Sequence, residues 1–255
     1  MAILTKVNDL SVRYGNTIAV DKISFEVAPG EIVAVIGSNG CGKTSSMECL
    51  GGLRNPSGGT VAIFGKNPKM DRKEIYRQLG VQLQEASYPE KIKVDEICSW
   101  FSSFYSNPMD YKKLLNQLGL LDKKKSYVSK LSGGQKQRLS IVLAMLPRPK
   151  MLILDELTTG LDPEARRSIW EVLKIIRSEG TGILLVSHYM DEVENLADRI
   201  MFMQSGKMIF TGTLTALKTF ANENLQSEQW KPDMSLEEIY LAFVPQVIRK
   251  EGSLI

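Results

Sequence analysis

The 255-residue chain is 43% hydrophobic and 24% charged, which excludes disorder as its main theme and suffices for one sizeable core, or one core with a smaller lobe. Its 32 Lys+Arg against 29 Asp+Glu leave a net charge of only +3, too even to argue for nucleic acid, and no such partner is expected. No apolar run reaches the ~18 to 20 residues of a membrane helix, Met1 to Thr5 lacks the regions of a signal peptide, and Cys41, Cys49 and Cys98 have no metal spacing, so the expectation is a reducing compartment and a chain that does not itself cross a membrane.

The first stretch reads as short strands over Val7 to Val12 and Ile23 to Val27, with a turn at Ala28-Pro29-Gly30-Glu31. Tyr14 lies in the connection beside Gly15, where taken alone it reads as an aromatic tucked on a sheet edge. The apolar run Ile32 to Ile36 then leads into Gly37, Ser38, Asn39, Gly40, Cys41, Gly42, Lys43 and Thr44, and a helix opens at Ser45. This fits G-x-x-x-x-G-K-[ST] in the strand, loop, helix setting that pattern requires, where a bare G-K-T would often be only a turn before a surface helix. Glycines let successive backbone N–H groups turn inward around a triphosphate, and the helix aims its positive dipole end at the same oxygens. Lys43 adds a point charge on the outer phosphates, and the Thr44 hydroxyl can hold Mg²⁺.

Asn55 to Gly59 is a breaker cluster, followed by a strand over Thr60 to Phe64 and a turn through Gly65 to Pro68. Leu79 to Gln84 reads as a strand, with Gln82 and Gln84 equal candidates for any amide role and both solvent-facing if idle. From Asp95 to Ser106 the period becomes helical, and Ile97, Trp100, Phe101, Phe104 and Tyr105 form a stripe expected to be core. Asn107-Pro108 stops it, and a second amphipathic helix carries Tyr111, Leu114, Leu115 and Leu118 to Gly119. Lys123 to Lys125 is expected to be a solvated loop. Residues 85–145 thus read as a helical insertion. At its end, Ser132 and Gln135 have capping-box spacing before a helix with Leu139, Val142, Leu143 and Leu146. Gly133 and Gly134 strip side chains from that helix start, making a second anion site that one nucleotide does not obviously need from one chain.

The second half alternates strands and helices, the pattern of a parallel sheet. Met151 to Leu154 delivers Asp155 and Glu156 at a strand's carboxyl end, where ligands bind in such sheets. Asp155 is placed to reach Mg²⁺, directly or through water, and Glu156 to face an attacking water. Thr181 to Val186 likewise delivers Ser187 and His188, the only histidine, for which a terminal-phosphate contact is preferred over a structural role. Between them Asp162-Pro163-Glu164 starts a helix running through Ile169, Val172, Leu173 and Ile176 to Gly180. A last helix starts at Ser235, with Glu238 completing a capping box.

These motifs, in this order, resemble the nucleotide-binding subunit of an ATP-binding cassette transporter over nearly the whole chain. The resemblance implies an α/β phosphate-loop NTPase: a mostly parallel core sheet with an antiparallel β subdomain from residues 1–84 and 146–213, a helical subdomain over 85–145, and a short helical extension over 214–255. It implies that Tyr14 stacks on adenine, that Gln84 rather than Gln82 is the glutamine at the helical junction, near Mg²⁺ and the chemistry, and that Ser132, Gly133, Gly134 and Gln135 are the family signature. Asp155 and Glu156 become the magnesium and catalytic-base pair, Gly160-Leu161-Asp162 the loop crossing a dimer, and His188 the switch histidine. Leu157 departs from the proline usual after the catalytic glutamate, which touches loop stiffness more than chemistry. ATP and Mg²⁺ are the implied ligands. Two copies, a homodimer ahead of a heterodimer, would meet head to tail and drive a polytopic membrane permease from the cytoplasmic face of the membrane. Asp155 to Pro163 and Ser187 to Glu192 are similar to subunits serving exporters of drugs, ions or polymers, and the short tail argues against a long regulatory domain. A soluble ATPase remodelling ribosomes or DNA would be favoured by a second G-K-T or sustained heptads, neither of which is visible. A small-molecule kinase would leave Leu131 to Gln135 without a role.

Overall fold

The computed structural model describes residues 3–82, 88–225 and 230–243; Gln84 lies outside the described residues. Strands β1 (Thr5–Tyr14) and β2 (Thr17–Val27) pair antiparallel, β3 (Ile32–Gly37) enters a second sheet, and β4 (Gly58–Ile63) returns to β1, giving the order β2-β1-β4. β1 and β2 are longer than the expected short strands. An irregularity between Val7 and Leu10 keeps both of these and Val12 buried despite the broken alternation of Asn8-Asp9.

The second sheet holds β5 (Leu79–Gln82), β6 (Met151–Asp155), β7 (Gly182–Val186), β8 (Arg199–Gln204) and β9 (Lys207–Gly212), in the order β5-β6-β7-β3-β8-β9. Its pairs are parallel except β8 with β9. Every residue of β3, β6 and β7 is buried, which is why these strands read as continuous apolar runs rather than alternations. The hairpin of β8 and β9 turns at Ser205-Gly206 and was not among the expected strands.

Helices α1 (Lys43–Leu50) and α2 (Arg72–Ile75) precede β5, and α3 (Val94–Ser102), α4 (Tyr111–Gln117) and α5 (Gly133–Met145) fall between β5 and β6 as the helical insertion. Their apolar faces do not form a separate core: Ile97, Leu115 and Leu139 share one cluster with Leu152 and Leu154 of β6. The stripe on α3 is core in part only. Ile97 and Cys98 are fully buried and Phe101 and Tyr105 pack against the cluster, but Trp100 is 52% and Phe104 62% exposed. The helix ends a turn earlier than its period suggests, where the Ser102 and Ser103 hydroxyls bond back to the carbonyls of Cys98 and Trp100. Phe101 takes the inward place and Trp100 and Phe104 are left at the rim, clustered edge to face with it. Gln82, expected at the surface if idle, is buried at the end of β5.

Helices α6 (Pro163–Ser178) and α7 (Met190–Leu196) follow β6 and β7, and α8 (Leu214–Asn224) and α9 (Leu236–Phe243) follow β9. α8 opens the stretch expected as a helical extension, and Thr213 caps it by accepting from the Ala216 N–H. The last two helices cover one face of β3 and β8, where Leu217 and Ile239 meet Ala34, Ile36 and Phe202. No described helix is long and apolar enough to cross a membrane.

Candidate nucleotide site

The order β6-β7-β3 sets the carboxyl ends of three strands side by side. They deliver the glycine-rich loop, Glu156 and His188 to one cleft of about 550 Å³. Tyr14, Asn39, Gly40, Gly42, Lys43, Thr44, Ser45, Glu156 and His188 all line it. Gly37, Ser38, Cys41 and Asp155 do not line the cleft.

The loop is held by its backbone. Gly42 has φ 103, and a Cβ there would stand 2.4 Å from the Ala19 carbonyl oxygen, so only glycine lets the chain pass so close to β2. Lys43 is 5% exposed, and its Nζ donates to the Gly37 carbonyl at 2.8 Å and the Ser38 carbonyl at 3.0 Å, arching over the loop. The Cys41 thiol is buried, and burial pushes its pKa up. It is a packing group, not a nucleophile.

Asp155 is fully buried, and neither carboxylate oxygen has a closed hydrogen bond among the described residues. Burial first, then the Glu156 charge, push its pKa up to about 6, against the pull of Lys43 and the Thr44 hydroxyl. The fold therefore holds a carboxylate that is costly to ionise until a cation joins it. Among the described residues no group of three or more His, Cys, Asp and Glu could hold a metal by itself. Asp155 beside the Thr44 hydroxyl fits a Mg²⁺ that completes its shell with phosphate oxygens and water.

Glu156 follows at once but points elsewhere. Its backbone is left-handed, with φ 53, an unusual conformation for a residue with a side chain, and its N–H donates to the Val186 carbonyl at 3.0 Å. That turn swings its carboxylate into the cleft, where it is hydrogen-bonded to the His188 Nε2. Tyr14, at the end of β1, is half exposed at the cleft mouth. Its hydroxyl shares a hydrogen bond with the Ser45 hydroxyl at 3.0 Å, and Arg54 lies over its ring at 4.3 Å. No motif singles out Arg54.

Ser132, Gly133, Gly134 and Gln135 lie outside this cleft. The capping box forms as spaced: the Ser132 hydroxyl accepts from the Gln135 N–H, and the Gln135 side chain accepts from the Ser132 N–H. Gly133 has nothing within 4 Å of the place its Cβ would take, so this helix start opens to solvent. Gly134 lies against Leu161 and Ala165, bringing the start of α5 beside that of α6, which Asp162 caps from the Ala165 N–H at 2.9 Å.

A lysine, a helix start and paired carboxylates gathered at adjacent parallel strand ends define a phosphate-loop nucleotide-binding domain. Residues 20–159 match the family described as "ABC transporter". The chain is 35% identical over 210 residues to the Nod factor export ATP-binding protein I of Burkholderia orbicola (strain AU 1054), covering 80% of this chain and 69% of that one. It is 36% identical to the methionine import ATP-binding protein MetN of Mesorhizobium japonicum (80% and 59% covered) and 33% identical to the daunorubicin/doxorubicin resistance ATP-binding protein DrrA of Streptomyces peucetius (83% and 66% covered). A solved ATP-binding subunit of an ABC transporter superposes with a TM-score of 0.82 at 28% identity, covering 93% of this chain and 98% of that one. The chain belongs to the ABC transporter family, as an ATP-binding subunit.

Proposed function

We propose that this chain hydrolyses ATP to drive export through a separate membrane permease, working as a head-to-tail pair of copies. The observation that carries this reading is the open helix start at Ser132 to Gln135, built for an anion yet outside the cleft lined by the chain's own phosphate loop. Two-fold symmetry gives it a ligand: ATP held by Gly37 to Ser45 of one copy is covered by the signature of the other, and Asp162 lies on the crossing loop. Thr44 and Asp155, with Gln84, would hold Mg²⁺, which supplies charge neutralisation on the phosphates. Glu156 accepts the proton of the attacking water. Lys43 and His188 stabilise charge on the transferring phosphoryl group. The resting Glu156–His188 hydrogen bond must open for both roles, so nucleotide entry and activation of the base are coupled.

Tyr14 stacks on adenine in this reading, steadied by Arg54 and Ser45. Tyr14→Ala should weaken ATP binding by about 1 to 3 kcal/mol and Tyr14→Trp should keep it. Titration calorimetry on the three proteins is the check, and equal affinities would return Tyr14 to a sheet-edge role.

Export is favoured by the relatives named for Nod factor export and drug resistance, while the relative named for methionine import keeps import as the second reading. The permease would hold the subunit at the cytoplasmic face. A second cleft of about 550 Å³ suits it: Lys73, Arg77 and Arg148 meet Tyr76, Phe104 and Tyr105 there, with no carboxylate among the described residues that line it. An acidic, partly apolar segment of the permease fits that chemistry. Lys73→Glu with Arg77→Glu should leave ATP turnover of the isolated protein within about twofold and cut its retention on permease-containing membranes at least about tenfold, since like charges across an interface reject a partner. Unchanged retention in a flotation assay would rule this cleft out.

A further inference from the structure

Behind the cleft sits a fully buried acid that the chemistry above does not use. Glu192, on α7, is 0% exposed, and its Oε1 accepts the indole N–H of Trp170 on α6 at 2.9 Å. Burial raises its pKa, and the hydroxyls of Ser187 and Thr158 and the Trp170 N–H draw it back. Both hydroxyl-bearing residues are 1% exposed. The Glu192 Oε2 and the Thr158 hydroxyl nevertheless fall short of a closed hydrogen bond in this geometry. For packing alone a carboxylate is a poor choice, because an apolar side chain of similar volume fills such a place without the desolvation cost.

What distinguishes this acid is its place near two loops of the site. Thr158 lies two residues after Glu156, on the way to Asp162, and Ser187, whose hydroxyl accepts from the Tyr189 N–H at 3.0 Å, immediately precedes His188. One turn before Trp170 on α6, Arg166 lies over the Tyr189 ring at 4.4 Å and reaches Asp191 at 3.4 Å. The helix that Asp162 caps therefore holds the His188 loop at two points one turn apart. We propose that Glu192 is a positioning residue: by holding the Trp170 N–H it ties α6, whose start is capped by Asp162, to the helix that follows His188. A displacement of α6 is thereby passed to the His188 loop within the same chain.

This rests on Glu156 and His188 being the reacting pair, so Glu156→Gln is run beside the variants as a reference. Glu192→Ala should lower kcat about 10- to 100-fold, as a small misplacement of reacting groups does, with ATP affinity changed less than about twofold because the phosphate loop is untouched. Glu192→Gln keeps an oxygen for the Trp170 N–H and should recover most of the rate. Trp170→Phe removes the N–H that Glu192 holds and should lose rate in the same way, and its loss should not add to that of Glu192→Ala, because the two act through one hydrogen bond. If Glu192→Ala fails to fold, Trp170→Phe carries the same test through the kcat against KM split. A folded Glu192→Ala with parental kcat, a loss shared equally by ATP affinity, or losses that add would each overturn the proposal. Normal turnover in Glu156→Gln would instead remove the reading beneath it.

Discussion

Glu156→Gln should bind ATP as the parent does and hydrolyse it about 10² to 10⁴-fold more slowly, the range for a lost general base. The amide matches the carboxylate in size and fills the same position on the left-handed turn, so the cleft keeps its shape. What it loses is the ability to take a proton from water. Asp155 cannot substitute, although it is the next residue. It is fully buried at the end of β6, with Lys43 and Thr44 nearby, whereas Glu156 lines the open cleft. Phosphate release and nucleotide retention measured on the same preparation separate binding from chemistry, and near-normal turnover would mean that another group activates the water.

The same variant makes the head-to-tail arrangement testable. With hydrolysis blocked, ATP and Mg²⁺ should drive the protein to a dimer, because nucleotide held in an interface stabilises the state that binds it. Adding Ser132→Arg should abolish that dimer. The Ser132 hydroxyl caps α5, and its loss alone costs about 1 kcal/mol of helix stability; the larger effect is a long side chain standing where the phosphate of a second copy would sit. ATP affinity of the monomer should change little, since Ser132 to Gln135 do not line its own cleft. Light scattering follows the assembly and nucleotide binding is measured separately. A double variant that still dimerises, or a monomer that loses ATP through Ser132→Arg alone, would place the signature's action within one chain.

Local chemistry explains what could be read in advance. The phosphate loop, the carboxylate pair, the capping boxes at Ser132 and Ser235 and the capped start of α6 are set by residue types at fixed spacing, and each lies where that spacing puts it. Contacts between distant segments carry no such signal. Arg54 over Tyr14, and Trp170 on Glu192 across 22 residues, depend on how helices pack on the sheet. Trp100 and Phe104 follow the period of a buried stripe, but a helix face is covered only where a neighbour exists to cover it, and here the rim has none among the described residues. The preference for Gln84 over Gln82 came from family likeness alone, and the buried Gln82 is a reminder that position on a strand does not fix exposure.

The covering of β3 and β8 by α8 and α9 has a consequence for the order in which the protein is made. The phosphate loop leaves the ribosome early, yet Ala34 and Ile36, on the strand that feeds it, stay incompletely covered until α8 and α9 have emerged. Phe202 waits for Tyr240 and Phe243, whose rings meet it at 5.6 and 5.8 Å. Helix α7, which follows His188, gains its brace at the same late moment, when Glu194 accepts the Leu236 N–H at 2.9 Å. A nascent chain therefore completes the bracing of its switch loop only at the end, and until then it exposes part of an apolar sheet face on which unfinished chains can aggregate.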